Sequence, residues 1–314
     1  MKLIESKVEI IEQQPGLEGV YKQIELAGRT CYKSEDKITE DSAKEFVDRM
    51  IKSKHGAMLE HGTVYLKATA KYDIEHDYWD MPQNLFASFF NKNKYSKLRT
   101  VESEDACDCY ITTNMRVIVE NNLFECLKYI CEPTEHHEKR ITARFTCDRG
   151  VSHEIVRHRV MSFAMESTRY CNYEKDKFGN ELTYISPSWL DINKLLPLVD
   201  LANKDNKEVY RMGHDESLSN EDRAMCSFIY DLSNCEHGYM FQTKCGWQAQ
   251  QARQLLPNAL KTEIVVTGFE SDWERFFSLR SPKCGAQGVH PDMAKLADEL
   301  YEKLNNVNTD NKTE

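Results

Sequence analysis

Short alternating stretches and helix-length amphipathic stretches take turns along this chain, and no segment repeats. That interleaving limits the possible folds more than any other feature. A period of two buries one face of a strand, and a period of 3.6 buries one stripe of a helix. A chain carrying both in irregular order needs a sheet with helices packed on it. "KVEIIEQ" (Lys7–Gln13) reads as a strand, and "GLEGVYKQIELAGRTCY" as the helix after it. "TEDSAKEFVDRMIKSKHG" reads as a second helix, capped by Thr39 or Asp41 and ended by Gly56. "TVYLKATAKY", "KRITARFTCDRG", "NELTYISPSWL" and "LKTEIVVTGF" read as strands. Ile141, Ala143 and Phe145 share one face, and Pro187 stops the third of these strands.

"NMRVIVENNLFECLKYICE", "GVSHEIVRHRV" and "HPDMAKLADELYEKLNN" read as helical, and "SDWERFFSLR" as a short helix opened by an Asx/Ser cap. Glu216 to Leu256 reads as a long helix or helix pair, with Met225, Ile229 and Leu232 on its apolar stripe. Ile74 to Cys109 is aromatic, polar and aperiodic, and reads as a long excursion from a sheet edge. The expected class is α/β (mixed α+β), a sheet flanked by helices. It forms one domain over residues 1–304, followed by a disordered polar tail, 305–314.

The 314 residues suffice for a sizeable core. A net charge of −10 argues against general nucleic-acid binding, which needs a broad basic surface. Any positive site must be local, which suits a small anionic ligand. The start, "MKLIESKVEIIEQQPG", has acids and amides where a secretory signal has its apolar core. No apolar run is long enough to span a bilayer, so no membrane role is expected. The eleven cysteines are scattered, which points to reduced thiols and a cytoplasmic setting. Cys107-Asp108-Cys109 is too tight for a zinc site and Cys235-x-His237 lacks a partner pair, so no metal is expected.

"DRGVSHEIVRHRVMSFAMESTRYCNYEKD" concentrates donors. Arg157, His158 and Arg159 are followed after seven residues by Ser167, Thr168, Arg169 and Tyr170. Arginine forks match phosphate oxygens bidentately. A loop folding back between the two groups would form a phosphate or pyrophosphate cradle. An isolated Arg-x-Arg is ordinarily a solvated surface pair, and spacing alone favours reading Arg253 and Arg280 as helix C-terminal cations. His55 and His61 bracket "GAMLE" near a helix end, where histidines are often structural. Neither a Rossmann fingerprint nor a P-loop nor a G-x-S-x-G elbow occurs.

Arg-His-Arg, seven residues, then Ser, inside "RFTCDRGVSHEIVRHR…SFAMESTRYCNY", resembles the flavin-dependent thymidylate synthases. "HGAMLEH" is similar to that family's upstream histidine segment and "ARQLLPNALKTE…FFSLR" to its C-terminal nucleotide segment. Excess length lies near 73–138 and 190–215. The resemblance implies reductive methylation of dUMP to dTMP. Methylenetetrahydrofolate gives the carbon, FAD the hydride, and NADPH reduces the flavin. It also implies a homotetramer whose sites draw residues from several subunits.

By the same resemblance, His55, Arg157, His158, Arg159 and Arg275 contact FAD. Glu154, Arg157, Ser167, Thr168, Arg169, Arg253 and Arg280 contact dUMP, and Arg280 beside the uracil ring is the catalytic group. Met165, Ala57, Phe269, Ser271 and Arg275 depart from the family's usual polar or hydroxyl residues. The alternative is a flavin-free module that binds nucleotide or RNA phosphates with the same arginines.

Overall fold

The computed structural model describes residues 1–73, 78–80, 87–103 and 106–310. Its strands are β1 (Lys2–Ile4), β2 (Lys7–Ile11), β3 (Thr63–Asp73), β4 (Tyr78–Asp80), β5 (Lys97–Glu102), β6 (Ala106–Asn114), β7 (Arg140–Asp148), β8 (Ser162–Met165), β9 (Thr183–Ile185) and β10 (Lys261–Phe269). The first helices are α1 (Gly16–Tyr32), α2 (Ser42–Lys52), α3 (Gly56–Leu59), α4 (Ala87–Lys92), α5 (Met115–Glu120) and α6 (Arg149–Ile155). They are followed by α7 (Ile192–Gly213), α8 (Asn220–Lys244), α9 (Ala249–Ala252), α10 (Glu270–Arg280) and α11 (Pro291–Asp310).

The central sheet runs β2-β7-β10-β8 and is antiparallel throughout. Its middle strands alternate, and each face has its own partner. Ala143, Phe145, Ile264 and Val266 pack with Val151, Trp273, Phe276, Met293 and Leu296, which places α6, α10 and α11 on one side. Val265 and Ala164 pack with Val20 and Ile24 of α1 on the other. A sheet covered on both faces by helices is the mixed α/β arrangement that the two periods demand. Trp273 is buried and donates its indole N–H to the Ile141 carbonyl at 3.1 Å, so its polar edge is satisfied.

A second antiparallel sheet, β4-β3-β6-β5, carries Val64, Leu66, Ala68, Ala70 and Ile111 into the α1 core. Part of the stretch read as an irregular excursion is therefore regular structure, with Phe90 of α4 fully buried. Phe89 packs against the same core. The rest of that stretch, 74–77, 81–86 and 104–105, lies outside the described residues. α7 and α8 pair over β1 and β9, burying Leu195, Val199, Met225, Ile229, Leu232 and Tyr239. The second length excess, near 190–215, is thus an ordered helix.

Five local expectations change. Gly56 opens α3 instead of ending α2, which stops at Lys52 before the left-handed Lys54 (φ 56°). Asp41 stands at the α2 N-cap without a side-chain bond; Ser42 Oγ accepts the Thr39 amide and donates to Glu25. "NMRVIVENNLFECLKYICE" breaks at Asn122 (φ 56°) into α5 and a 3-10 turn, Phe124–Tyr129. Phe269, not Ser271 or Asp272, is the residue before α10, and Asp272 reaches back to accept its amide at 3.0 Å. α11 also continues to Asp310, through the first residues of the expected tail.

Gly28 is where α1 meets α2. A methyl group there would stand 2.3 Å from the Phe46 ring, itself buried and faced by Arg29. Gly28→Ala is expected to cost about 1–3 kcal/mol by overpacking, read from a denaturant midpoint. An unchanged midpoint would contradict this close approach.

Candidate active site

The donor-rich segment does not fold back on itself. Met161 lies against Gly268, and the next residues extend as β8, pairing Ser162 with Thr267 and Met165 with Ile264. Glu166 then bonds the Glu263 carbonyl through its amide. Ser162 and Glu166 are therefore about 13 Å apart along the sheet, at the usual rise per strand residue. Within one chain, Arg157–Arg159 and Ser167–Arg169 form two groups, not the single cradle that a folded loop would make.

The first group gathers where α6 and α10 end. Arg280 Nη1 donates to Glu154 at 2.5 Å, and its Nε donates to His158 Nε2 at 3.3 Å. An accepting Nε2 requires a neutral ring with its proton on Nδ1. The environment agrees: burial, then Arg280 and Arg275, push His158 down to about 4. The ring leans on Phe276, with centroids 4.9 Å apart. A helix C-terminus favours the Arg280 cation. Arg157, Arg159 and Arg275 are exposed around this cluster and make no ion pair among the described residues.

The second group lies on the α1 side. Ser167 donates its amide to the Cys31 carbonyl at 3.0 Å and takes the Cys171 amide at the same distance. Its Oγ accepts the Arg169 amide at 3.4 Å. The exposed Arg169 guanidinium lies over the Tyr170 ring. Tyr170 packs on Tyr32, whose hydroxyl bonds His55 Nδ1 at 3.3 Å, so His55 joins this group rather than the first. Thr168 is buried. Arg253 is exposed on the 3-10 turn after α9 and bonds neither group among the described residues.

A charged chain under the second group escaped sequence reading. Lys33 and Lys261 flank Glu263 at 2.7 and 2.8 Å, and Lys261 also pairs with Glu166 at 2.9 Å. Tyr173 donates its hydroxyl to Glu166. Burial alone would raise Glu263, but Lys261 and Lys33 hold it at about 2. Lys261 and Glu263 are two apart on a strand and so share a face, the one signal that pointed here.

Other expected residues are engaged in the scaffold. His61 is buried, bonds Thr267 at 2.9 Å, and is pushed to about 3 by burial and then Arg140. Phe269 is buried, and the exposed Ser271 hydroxyl donates to Glu138. Burial pushes Cys31 to about 11 and Cys171 to about 12, with Glu166 reinforcing both. Neither thiol near the site is an activated nucleophile.

A family profile described as thymidylate synthase complementing protein (Thy1) matches residues 100–308. The flavin-dependent thymidylate synthase of Geobacter sulfurreducens is 26% identical over 132 residues, covering 42% of this chain and 43% of that one. The protein of the same name from Corynebacterium diphtheriae is 27% identical over 165 residues, covering 52% and 58%. The chain thus spans about half the length of the curated relatives it matches. A Streptomyces cacaoi UMP/dUMP methylase, PolB, solved with 5-Br dUMP, is similar over 97% of this chain and 92% of that one, at 14% identity and TM-score 0.42. Thymidylate Synthase X from Helicobacter pylori, solved with FAD and dUMP, covers 95% and 92% at 14% identity and TM-score 0.36. With well over half of its length inside the profile, the chain belongs to the thymidylate synthase complementing protein family.

Proposed function

We propose that this protein methylates dUMP to dTMP, with methylenetetrahydrofolate as carbon donor, FAD as hydride carrier and NADPH as its reductant. The observation that carries the reading is the Glu154–Arg280–His158 cluster, with exposed Arg157, Arg159 and Arg275 near it making no ion pair among the described residues. In a chain of net charge −10, three exposed arginines without an ion pair among the described residues, two just after α6 and one within α10, suit a ligand that brings its own negative charge.

The donor set fits FAD. Arg157, Arg159 and Arg275 would hold its pyrophosphate, with His158 beside them. When bound, FAD would supply the hydride that completes the methyl group. The remaining work falls to the chain. Glu154 fixes the Arg280 fork, and neutral His158 accepts from Nε without adding charge, which leaves the other Arg280 N–H groups to face uracil. A cation held there favours negative charge on N3 and the flanking oxygens, which makes C5 nucleophilic without a thiol adduct. Ser167, the Thr168 amide and Arg169 would hold the nucleotide phosphate, with Arg253 reaching the same group. Since the two groups are apart in one chain, the complete site would need two copies, in keeping with a homotetramer.

Purified protein should be yellow and should bleach with NADPH. Arg280→Ala should keep the flavin spectrum while dTMP formation falls about a hundredfold or more, as when a donor at developing charge is removed. Near-normal turnover in that variant would contradict the assigned role.

His158 should stay neutral near pH 6, read from its ring resonances in a histidine-selective titration. Its folded pKa, about 4, lies below the ordinary 6.5. The unfolded chain therefore takes up the proton first, and His158 costs stability as pH falls from 6.5 toward 4. A midpoint at or above the ordinary value would contradict the geometry.

A further inference from the structure

The seam between the two four-stranded sheets holds a cavity of about 400 Å³, inside the span of about 300–1,000 Å³ usual for small-molecule sites. β2 stops pairing with β7 at Ile11. Beyond it, Gln13 crosses to β3 and bonds both the amide and the carbonyl of Thr63 at 2.8 Å. The cavity opens in that gap, and no member of either arginine group lines it. Its lining sorts by depth. Val20, Thr63, Tyr65 and Thr142 are buried, and Ile10, Ile130 and Ile141 are half-buried. Glu12, Glu132, Lys139 and Glu270 are exposed at the mouth.

Arg140 supplies a cation to the wall. Its Nη1 donates to the Glu60 carbonyl at 2.9 Å and to Thr63 Oγ1 at 3.4 Å, and its Nη2 to Ser162 Oγ at 3.3 Å. All three acceptors are neutral. The Glu60 carboxylate is taken by Arg116, and Arg140 makes no ion pair among the described residues. Its Nε is withdrawn from water and has no hydrogen-bond partner. Burial, opposed by Tyr65 and then Glu60, draws the guanidinium down to about 10, so it stays charged at neutral pH. The Tyr65 hydroxyl accepts the Arg140 amide at 3.0 Å, and its own proton meets no acceptor among the described residues. A withdrawn cation beside an unused hydroxyl proton is costly unless an anion answers them.

The lining selects the ligand. A carboxylate matches a guanidinium fork and leaves an oxygen for one more donor. The isoleucines suit an apolar body of modest size. The three glutamates at the mouth outnumber Lys139 and repel nucleotides and other multiply charged anions. We propose that this cavity binds a small monocarboxylate with an apolar body. Its carboxylate meets Arg140 and Tyr65, and its hydrocarbon part lies against Ile10, Ile130 and Ile141. No reactant of the function proposed above has that form, so the ligand is an effector. Arg140 links it to the candidate site. To meet the carboxylate, the fork turns from Ser162, the first residue of β8. Occupancy therefore weakens dUMP binding, and that consequence alone rests on the proposed function.

The test titrates phenylacetate into the full chain by calorimetry, with phenylacetamide as its neutral isostere and phenyl phosphate as a dianion. Phenylacetate should bind about tenfold or more tighter than either, the worth of a charge-assisted hydrogen bond. Arg140→Met keeps the stem, removes the charge, and should erase that preference. Because Arg140 also braces the scaffold, a second measurement uses the unaltered protein. Cys131 is half-buried and lines the cavity, whereas Cys245 is exposed at the end of α8. Phenylacetate should slow alkylation of Cys131 by iodoacetamide, read by mass spectrometry, and leave Cys245 unaffected. Phenylacetate that binds no better than its amide, or that leaves Cys131 unprotected, would overturn the inference and leave the function standing. With phenylacetate bound, dUMP affinity should fall severalfold, and an unchanged affinity would overturn the link to β8. Protein that takes phenylacetate but never binds dUMP would sink the function and not the cavity.

Discussion

The pairing of β8 with β10 is the constraint on which the rest depends. Four residues of extended chain, Ser162–Met165, carry the polypeptide from the α6 turn to the α1 side of the sheet. They deliver Arg157–Arg159 to one end and Ser167–Arg169 to the other. Because β8 is a sheet edge bonded on one side by β10, its register is pinned by the buried Ala164 and by Ser162, which the Arg140 guanidinium holds at 3.3 Å. A slip of one residue would turn Ala164 away from α1 and the bulkier Met165 toward it.

The ionic chain Lys33–Glu263–Lys261–Glu166 is a second fixed point. Isolated buried charges are expensive, and a pair of them often does no better than break even. Here each of the two central groups has opposite charges on both sides, and Glu166 also takes the Tyr173 hydroxyl. That arrangement offsets desolvation and ties the end of α1, the start of β10 and the residue before Ser167 into one unit. The Ser167–Tyr170 turn is thereby held on rigid elements, as the phosphate-binding role proposed for it requires.

Much of the fold could be read from the residues. β7, β10, α1 and α8 can be recognised by the spacing and length of their apolar runs, even though β10 packs on both faces. Ile74–Cys109 could not be read so, because Phe89 and Phe90 pack into a core shared with α1, a tertiary fact with no local period. The Gly56 and Asn122 boundaries turned on left-handed residues at Lys54 and Asn122, which lysine and asparagine do not announce as glycine would. At the site, residue types and spacing marked both arginine groups, and the structure sets Arg280 beside Glu154. The spacing could not say whether seven residues fold back or extend. Alternation of Ser162, Ala164 and Glu166 on one face was the available clue, and the neighbouring arginines drew attention from it.

If the halves of the site meet only between copies, two different defects should repair each other. Arg169→Ala damages one half and Arg280→Ala the other, and each alone should be inactive. Co-assembling the two variants in equal amounts should restore dTMP formation to about a quarter of the wild-type rate, the share of sites that randomly draw both intact halves in a closed oligomer. A mixture no more active than its parents would contradict the composite site, and with it the central role given to β8.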